Sequence, residues 1–345
     1  MPAFASSFTA RTSRSLQFAL FLVSLLWWFI SDVVAGRAAH GLAIRLNLPS
    51  IEYLLSAIFL LFLMLLGFSV LQGMTGKSIA TGDVLGLPKR ATSREEWSVG
   101  AAIGWGIVAL AVLPMALAGK LHPHFWVQPR AWVLLCVNLA TLAAAALAEE
   151  AAFRGYPFRR LIEATGPTTA TILFSIFFGL LHMMNPDATW ASTLTTILAG
   201  VLLSVAWLRT HGLWLGWGLH FAWNASMGVL FGLPVSGLTH FSSVVDTTAT
   251  GPTWLTGRFY GPEGSATAIV AILVGLIVLV RLTRDYAWDY TRPPLIAAGY
   301  AVEVAPPAAH TAMEEQQPKP PSLVQILPTT PQTRSVAGYS TDVPE

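Results

Sequence analysis

The chain has 345 residues, 54% of them hydrophobic and only 11% charged, with a mean hydropathy of +0.59. A soluble domain carries roughly 25% charged residues, so an ordinary soluble fold is excluded and a multi-span membrane protein is the expectation. The net charge of +2 gives no electrostatic footprint for nucleic acid. A single cysteine, Cys136, excludes an intramolecular disulfide and a thiolate metal cluster; within its apolar run it reads as a small buried hydrophobe.

A membrane helix needs about 20 mostly apolar residues. Eight segments meet this, at about 16–36, 51–73, 98–119, 131–151, 168–184, 191–208, 212–232 and 266–282. The first has Arg11 and Arg14 ahead of its apolar core, as a signal peptide does. Its length, Trp27 and Trp28, and the spans that follow favour a retained helix. The fold class expected is therefore all-α, a polytopic helical membrane protein.

With the N-terminus in the cytoplasm, cytoplasmic segments hold Arg11, Arg14, Lys77, Lys89, Arg90, Arg94, Arg154, Arg159, Arg160, Arg209, Arg281, Arg284 and Arg292. The opposite side holds Arg37, Arg45, Lys120, Arg130 and Arg258. The positive-inside rule then puts both termini in the cytoplasm. The loop at 74–97 is short and polar, and 233–265, rich in Gly, Pro, Ser and Thr, reads as a long loop on the non-cytoplasmic side. Beyond Arg284, Tyr286, Trp288 and Tyr290 read as an interfacial anchor. The Pro-rich segment after them reads as a disordered cytoplasmic tail. Four regions result: N-terminal spans at 1–130, a core at 131–237, a loop and last span at 238–284, and a tail at 285–345.

Ionisable residues inside a span are costly and are functional candidates by default. Three groups stand out. In ALAEEAAFRGYPFRRL, Glu150 and Arg154 are i,i+4 and can pair on one helical face. Glu149 lies about 100° around the helix, so one carboxylate can be neutralised while the other stays free. In TILFSIFFGLLHMMNP, His182 ends an apolar run, with Phe178 one turn earlier on the same face. In GLWLGWGLHFAWNAS, His220 and Asn224 share a face deep in a span. Each group has a structural reading: a solvated helix end, an interfacial histidine, an interhelical hydrogen bond. A water-filled intramembrane pocket would account for all three, and a base, a water-orienting histidine and an oxyanion pair are the parts needed to hydrolyse an amide.

EEAAFR, FGLLH and HFAWN, in this order, resemble the EExxxR, FxxxH and HxxxN motifs of the CAAX protease and bacteriocin-processing (CPBP or Abi) family of intramembrane endopeptidases. The family includes the Ras-converting-enzyme type of prenyl-protein protease. The resemblance covers about 131–237 and implies a helical bundle around a conical intramembrane cavity. It implies that Glu149 and His182 activate the attacking water, that His220 and Asn224 form the oxyanion hole, and that Glu150 and Arg154 support the site or help bind substrate. The substrate implied is a membrane-associated protein or peptide, either CAAX-type and lipidated or, in a bacterial inner membrane, unlipidated; nucleic acid is not a partner. A zinc enzyme would draw its ligands from Glu149, His182 and His220. The absence of an HExxH-like closely spaced pair favours a glutamate base without metal.

Two other classes fit parts of the pattern. A non-enzymatic immunity or partner-regulating membrane protein would depend on loops and tail, and an ion-coupled transporter would use the same Glu, His and Arg as a relay. The inverted-repeat pattern of transporters is not evident. His40, His122, His124, His211, His240 and His310 read as loop, span-end or tail residues.

Overall fold

The computed structural model describes residues 13–75 and 81–284, and the tail and its aromatic group at 286–290 lie outside the described residues. The architecture is helical: α1 (Arg14–Leu46), α2 (Glu52–Gly73), α3 (Thr81–Leu85), α4 (Ser93–Leu117), α5 (Pro129–Phe153), α6 (Tyr156–Thr165), α7 (Pro167–Leu181), α8 (Trp190–Thr210), α9 (Trp214–Ala225), α10 (Thr253–Thr256) and α11 (Ala266–Leu282). Local chemistry sets several of the ends. Ser13 caps α1, Thr189 and Ser192 form a capping box on α8, and Ser265 caps α11. α5 and α7 open on proline, whose missing N–H is no loss in a first turn.

All eight expected spans are helical, and the chain is an all-α polytopic membrane protein. Among the described residues, six apolar segments are long enough to cross a bilayer, counting α5 and α6 together. The other two are shorter: α11 has 17 residues, and α9 has 12 and runs on into a π-helical turn at Ser226–Leu230. The outward faces are apolar, with Leu22, Leu26, Phe29, Ile30, Val33 and Val34 of α1 exposed. That is the pattern lipid requires and water would penalise. Cys136 also faces outward, contrary to the buried position expected of it, because it lies on the outer face of α5.

The segments outside the spans also depart from the sequence expectation. Residues 121–125 (β1) pair antiparallel with 245–249 (β2), with His124 opposite Asp246. The segment 233–265 is folded: it holds β2, α10 and two 3₁₀ turns, and several of its residues are buried. Neither shows in a hydropathy pattern, since the individual elements are short and the two paired strands lie far apart along the chain.

The interior has two apolar cores. One gathers α4, α8, α9 and α11 around Val108, Leu202, Leu215 and Ile272. The other gathers α1, α2, α6 and α7 around Met64, Phe68, Phe158 and Phe174. α5 runs between them and contributes to both, Leu142 to the first and Ala148, Ala151 and Phe153 to the second.

Candidate active site

A cavity of about 450 Å³ lies at the seam between the two cores. Its wall carries Leu60, Ala148 and Phe178 from one core and Leu142, Leu202, Leu219 and Trp223 from the other. Glu149, His182, His220 and Asn224 all line it, so three segments separated by tens of residues converge on one space.

The α5 end is built by a sharp turn. Gly155 follows the last helical turn, and a Cβ there would collide with the carbonyl of Ala151. One helical turn before this bend stands Glu150, and Arg154 Nη1 donates to its Oε1 at 3.2 Å. Both side chains are fully buried, behind the cavity wall. Arg154 Nη2 donates to the Gly200 carbonyl of α8 at 3.1 Å, and the guanidinium lies 4.6 Å from the Phe178 ring centroid of α7. A buried arginine held by a carboxylate, a carbonyl and an aromatic face has its charge met on several sides.

Glu150 also meets α9. Its Oε1 lies 2.9 Å from His220 Nδ1, while His220 Nε2 faces Glu149 Oε2 at 3.7 Å. The imidazole therefore stands between the two adjacent glutamates, one behind the wall and one on it. Gly216, one turn before His220, leaves room for Glu150; an added Cβ would come within 3.2 Å of Oε2. α9 itself is pressed onto α4, where a Cβ on Gly104 would meet the Leu219 carbonyl.

His182 sits where α7 tightens into a 3₁₀ turn. Its Nδ1 lies 2.8 Å from the Phe178 carbonyl. A carbonyl only accepts, so Nδ1 carries the proton, and a neutral ring then has its lone pair at Nε2. The Phe178 ring lies 4.4 Å from the His182 ring and 6.4 Å from the His220 ring, which spaces the two imidazoles. Asn224 lies on the cavity wall one turn beyond His220, directly before the π-helical turn. Such turns recur at functional sites because they re-aim side chains.

Sequence reasoning missed two acids on this wall, Asp32 and Glu263. Asp32 had a readable signal, a carboxylate within the first span. Glu263 had none, since only folding brings the 233–265 segment over the cavity. Its carboxylate accepts from Trp223 Nε1 at 2.7 Å and from the Ser236 hydroxyl at 2.8 Å, and it also accepts from the Ser236 backbone N–H. Burial pushes the Glu263 carboxyl above its ordinary range, and those donors pull it back down. Asn185 Nδ2 donates to the Ser236 carbonyl at 3.1 Å, so the same segment is tied to the loop after His182.

Among the described residues, no three His, Cys, Asp or Glu side chains come together as a metal-ligand set. Of the three residues named for zinc, Glu149 faces His220 at 3.7 Å, and His182 Nδ1 is committed to the Phe178 carbonyl.

Residues 130–226, under a third of the chain, match the family model described as type II CAAX prenyl endopeptidase Rce1-like. No curated protein and no solved structure matches the chain. The matched segment runs from the start of α5 to the end of α9 and contains the glutamate pair, both cavity histidines and Asn224. Over this segment the chain is similar to the type II CAAX prenyl endopeptidases of the Rce1-like family.

Proposed function

We propose that the chain is an intramembrane endopeptidase that hydrolyses peptide bonds of membrane-associated proteins or peptides, with Glu149 as general base. The observation that carries this reading is the unequal partnering of two adjacent carboxylates. Glu150 is fully buried against Arg154 and His220, whereas Glu149 remains on the cavity wall. A carboxylate with its neighbour already compensated is the one able to take a proton from water.

In this reading, Glu149 removes a proton from a water in the cavity and the oxygen attacks the scissile carbonyl carbon. His182, its Nδ1–H committed to Phe178, offers Nε2 to orient that water. Asn224 and His220 donate to the tetrahedral oxyanion. For His220 this requires the doubly protonated ring, since Nδ1–H is already directed at Glu150. The proton held by Glu149 then passes to the leaving amine as the C–N bond breaks. Arg154 and Glu150 act as positioning residues that hold His220 from behind. No step is routed through a metal.

The chain is an integral membrane protein. The distribution of basic residues supports cytoplasmic termini. An unlipidated membrane protein or secreted peptide in a bacterial inner membrane, or a CAAX-type lipidated protein, is the substrate class proposed.

The test is paired. Wild type and Glu149→Ala, purified in mild detergent, are incubated with a membrane-peptide library, and new termini are read by mass spectrometry. Cleavage by wild type alone is expected; equal cleavage by both preparations would remove the reading.

A further inference from the structure

The mechanism above uses Glu149 and the motif histidines and leaves Asp32 unused. Asp32 lies near the middle of α1, in a helix long and apolar enough to span a bilayer. It lines the cavity, and no ion pair or hydrogen bond joins it to another described residue. A carboxylate at mid-span normally has a cation or donor as its partner, because an unmet charge there is costly.

The surroundings indicate what that partner would be. Trp28, one turn earlier on the same face of α1, also lines the cavity, as does Tyr53 of α2. The Tyr53 ring is fixed by stacking on His240 at 4.3 Å, and the Trp28 ring packs edge-on against Phe153 at 5.5 Å. An unpaired carboxylate that shares a cavity lining with two anchored aromatic rings, one of them a turn away on its own helix, suits a cation, through charge pairing and ring faces together. The rest of the lining adds Glu149 and Glu263 with His182 and His220 and, among the described residues, no lysine or arginine.

We infer that Asp32, with Trp28 and Tyr53, is the specificity-determining corner of the cavity, and that the substrate is a membrane-associated peptide carrying a lysine or arginine side chain within reach of the scissile bond. This deepens the endopeptidase reading and rests on it for the cleavage step. A peptide bringing a carboxylate into the same corner would meet like charge. A bond near a basic residue is therefore favoured.

The test uses the full chain in lipid nanodiscs and synthetic apolar peptides of about 20 residues. Each carries one lysine, glutamine or glutamate, moved through the sequence. Binding is measured on Glu149→Gln, so that capture is read without cleavage. Lysine members at the favoured position should bind about tenfold more tightly than matched glutamine members, and glutamate members more weakly still. In Glu149→Gln with Asp32→Asn, the lysine-to-glutamine ratio should collapse to about one. Asp32→Lys in the same background should reverse the preference toward glutamate, an outcome that a misfolded variant cannot produce. Equal binding of lysine and glutamine members, a preference that survives Asp32→Asn, or no binding of any member would overturn the inference. Cleavage by the unaltered chain is followed in parallel. Asp32-dependent binding without cleavage would remove the endopeptidase reading and keep this one, whereas cleavage without lysine preference would remove this one alone.

Discussion

Glu150 Oε1 lies 2.9 Å from His220 Nδ1 and 3.2 Å from Arg154 Nη1, so one buried oxygen ties the end of α5 to the middle of α9. Removing that carboxylate leaves an uncompensated guanidinium in the interior. Breaking a buried pair from one side costs about 3–5 kcal/mol. Glu150→Ala should therefore lower the thermal transition sharply as well as lose activity. Glu150→Ala combined with Arg154→Met should recover most of the stability without recovering cleavage. Thermal unfolding in detergent beside a peptide-cleavage assay separates the two effects.

Glu149 should behave differently. It lies on the cavity wall, its side chain is 40% exposed, and its nearest ionisable partner, His220 Nε2, is 3.7 Å away. Glu149→Gln keeps the shape and removes the proton acceptor. The expected result is an unchanged thermal transition and a fall in kcat of about 10²- to 10⁴-fold. A parallel loss of stability would assign Glu149 to structure instead.

Much of this arrangement was legible in the sequence, and the remainder has definite physical reasons. Long apolar runs marked the spans, and Glu149, Glu150, His182, His220 and Asn224 stood out because polar groups are rare inside them. The Glu150–Arg154 pair followed from one helical turn of spacing. The Glu150–His220 contact did not, because it depends on how α5 crosses α9 across 70 residues of sequence. The strand at Leu121–Phe125 was hidden for a similar reason: it holds Pro123, and its partner begins at Val245. α6 was missed because it is short and amphipathic, with Arg160 buried against Gln17 and Gln72. Glu263 reaches the cavity only through the packing of its loop onto Trp223, which no local pattern encodes.

Asn224 lines the cavity one turn beyond His220 and is partly buried. If its amide donates to the oxyanion, Asn224→Ala should lower kcat by about 10²- to 10³-fold with little change in KM, since the charge it meets develops only in the transition state. Asn224→Asp keeps the shape but replaces a donor with a negative charge, and should be at least as impaired. Initial rates across substrate concentration, with circular dichroism to verify folding, decide the matter. A rise in KM at constant kcat would move Asn224 from oxyanion stabilisation to ground-state binding.

A metal chelator provides an independent check on the proton-transfer reading. Glu149, His182 and His220 do not converge as ligands among the described residues, so cleavage should keep its rate after incubation with EDTA or 1,10-phenanthroline. Added zinc should not raise it. Loss of activity on chelation, restored by stoichiometric zinc, would place a metal among these side chains and overturn the proposed role of Glu149 as the sole activator of water.

His211 gives a prediction about pH. It lies in the turn between α8 and α9 with a left-handed φ of 49°, and burial, aided by the positive charge of Arg90, holds its pKa down to about 4. A histidine in the unfolded chain titrates near about 6.5. Between those values the unfolded state binds the additional proton, so stability rises with pH through this window. The contribution of neutral His211 is therefore fully present above about pH 6.5 and is lost as pH falls toward about 4. Asn tolerates the same backbone conformation and does not titrate, so His211→Asn should show a shallower fall in thermal stability on acidification from pH 7 to pH 4. Equal slopes for the two proteins would mean that another group sets the acid sensitivity of the α8–α9 turn.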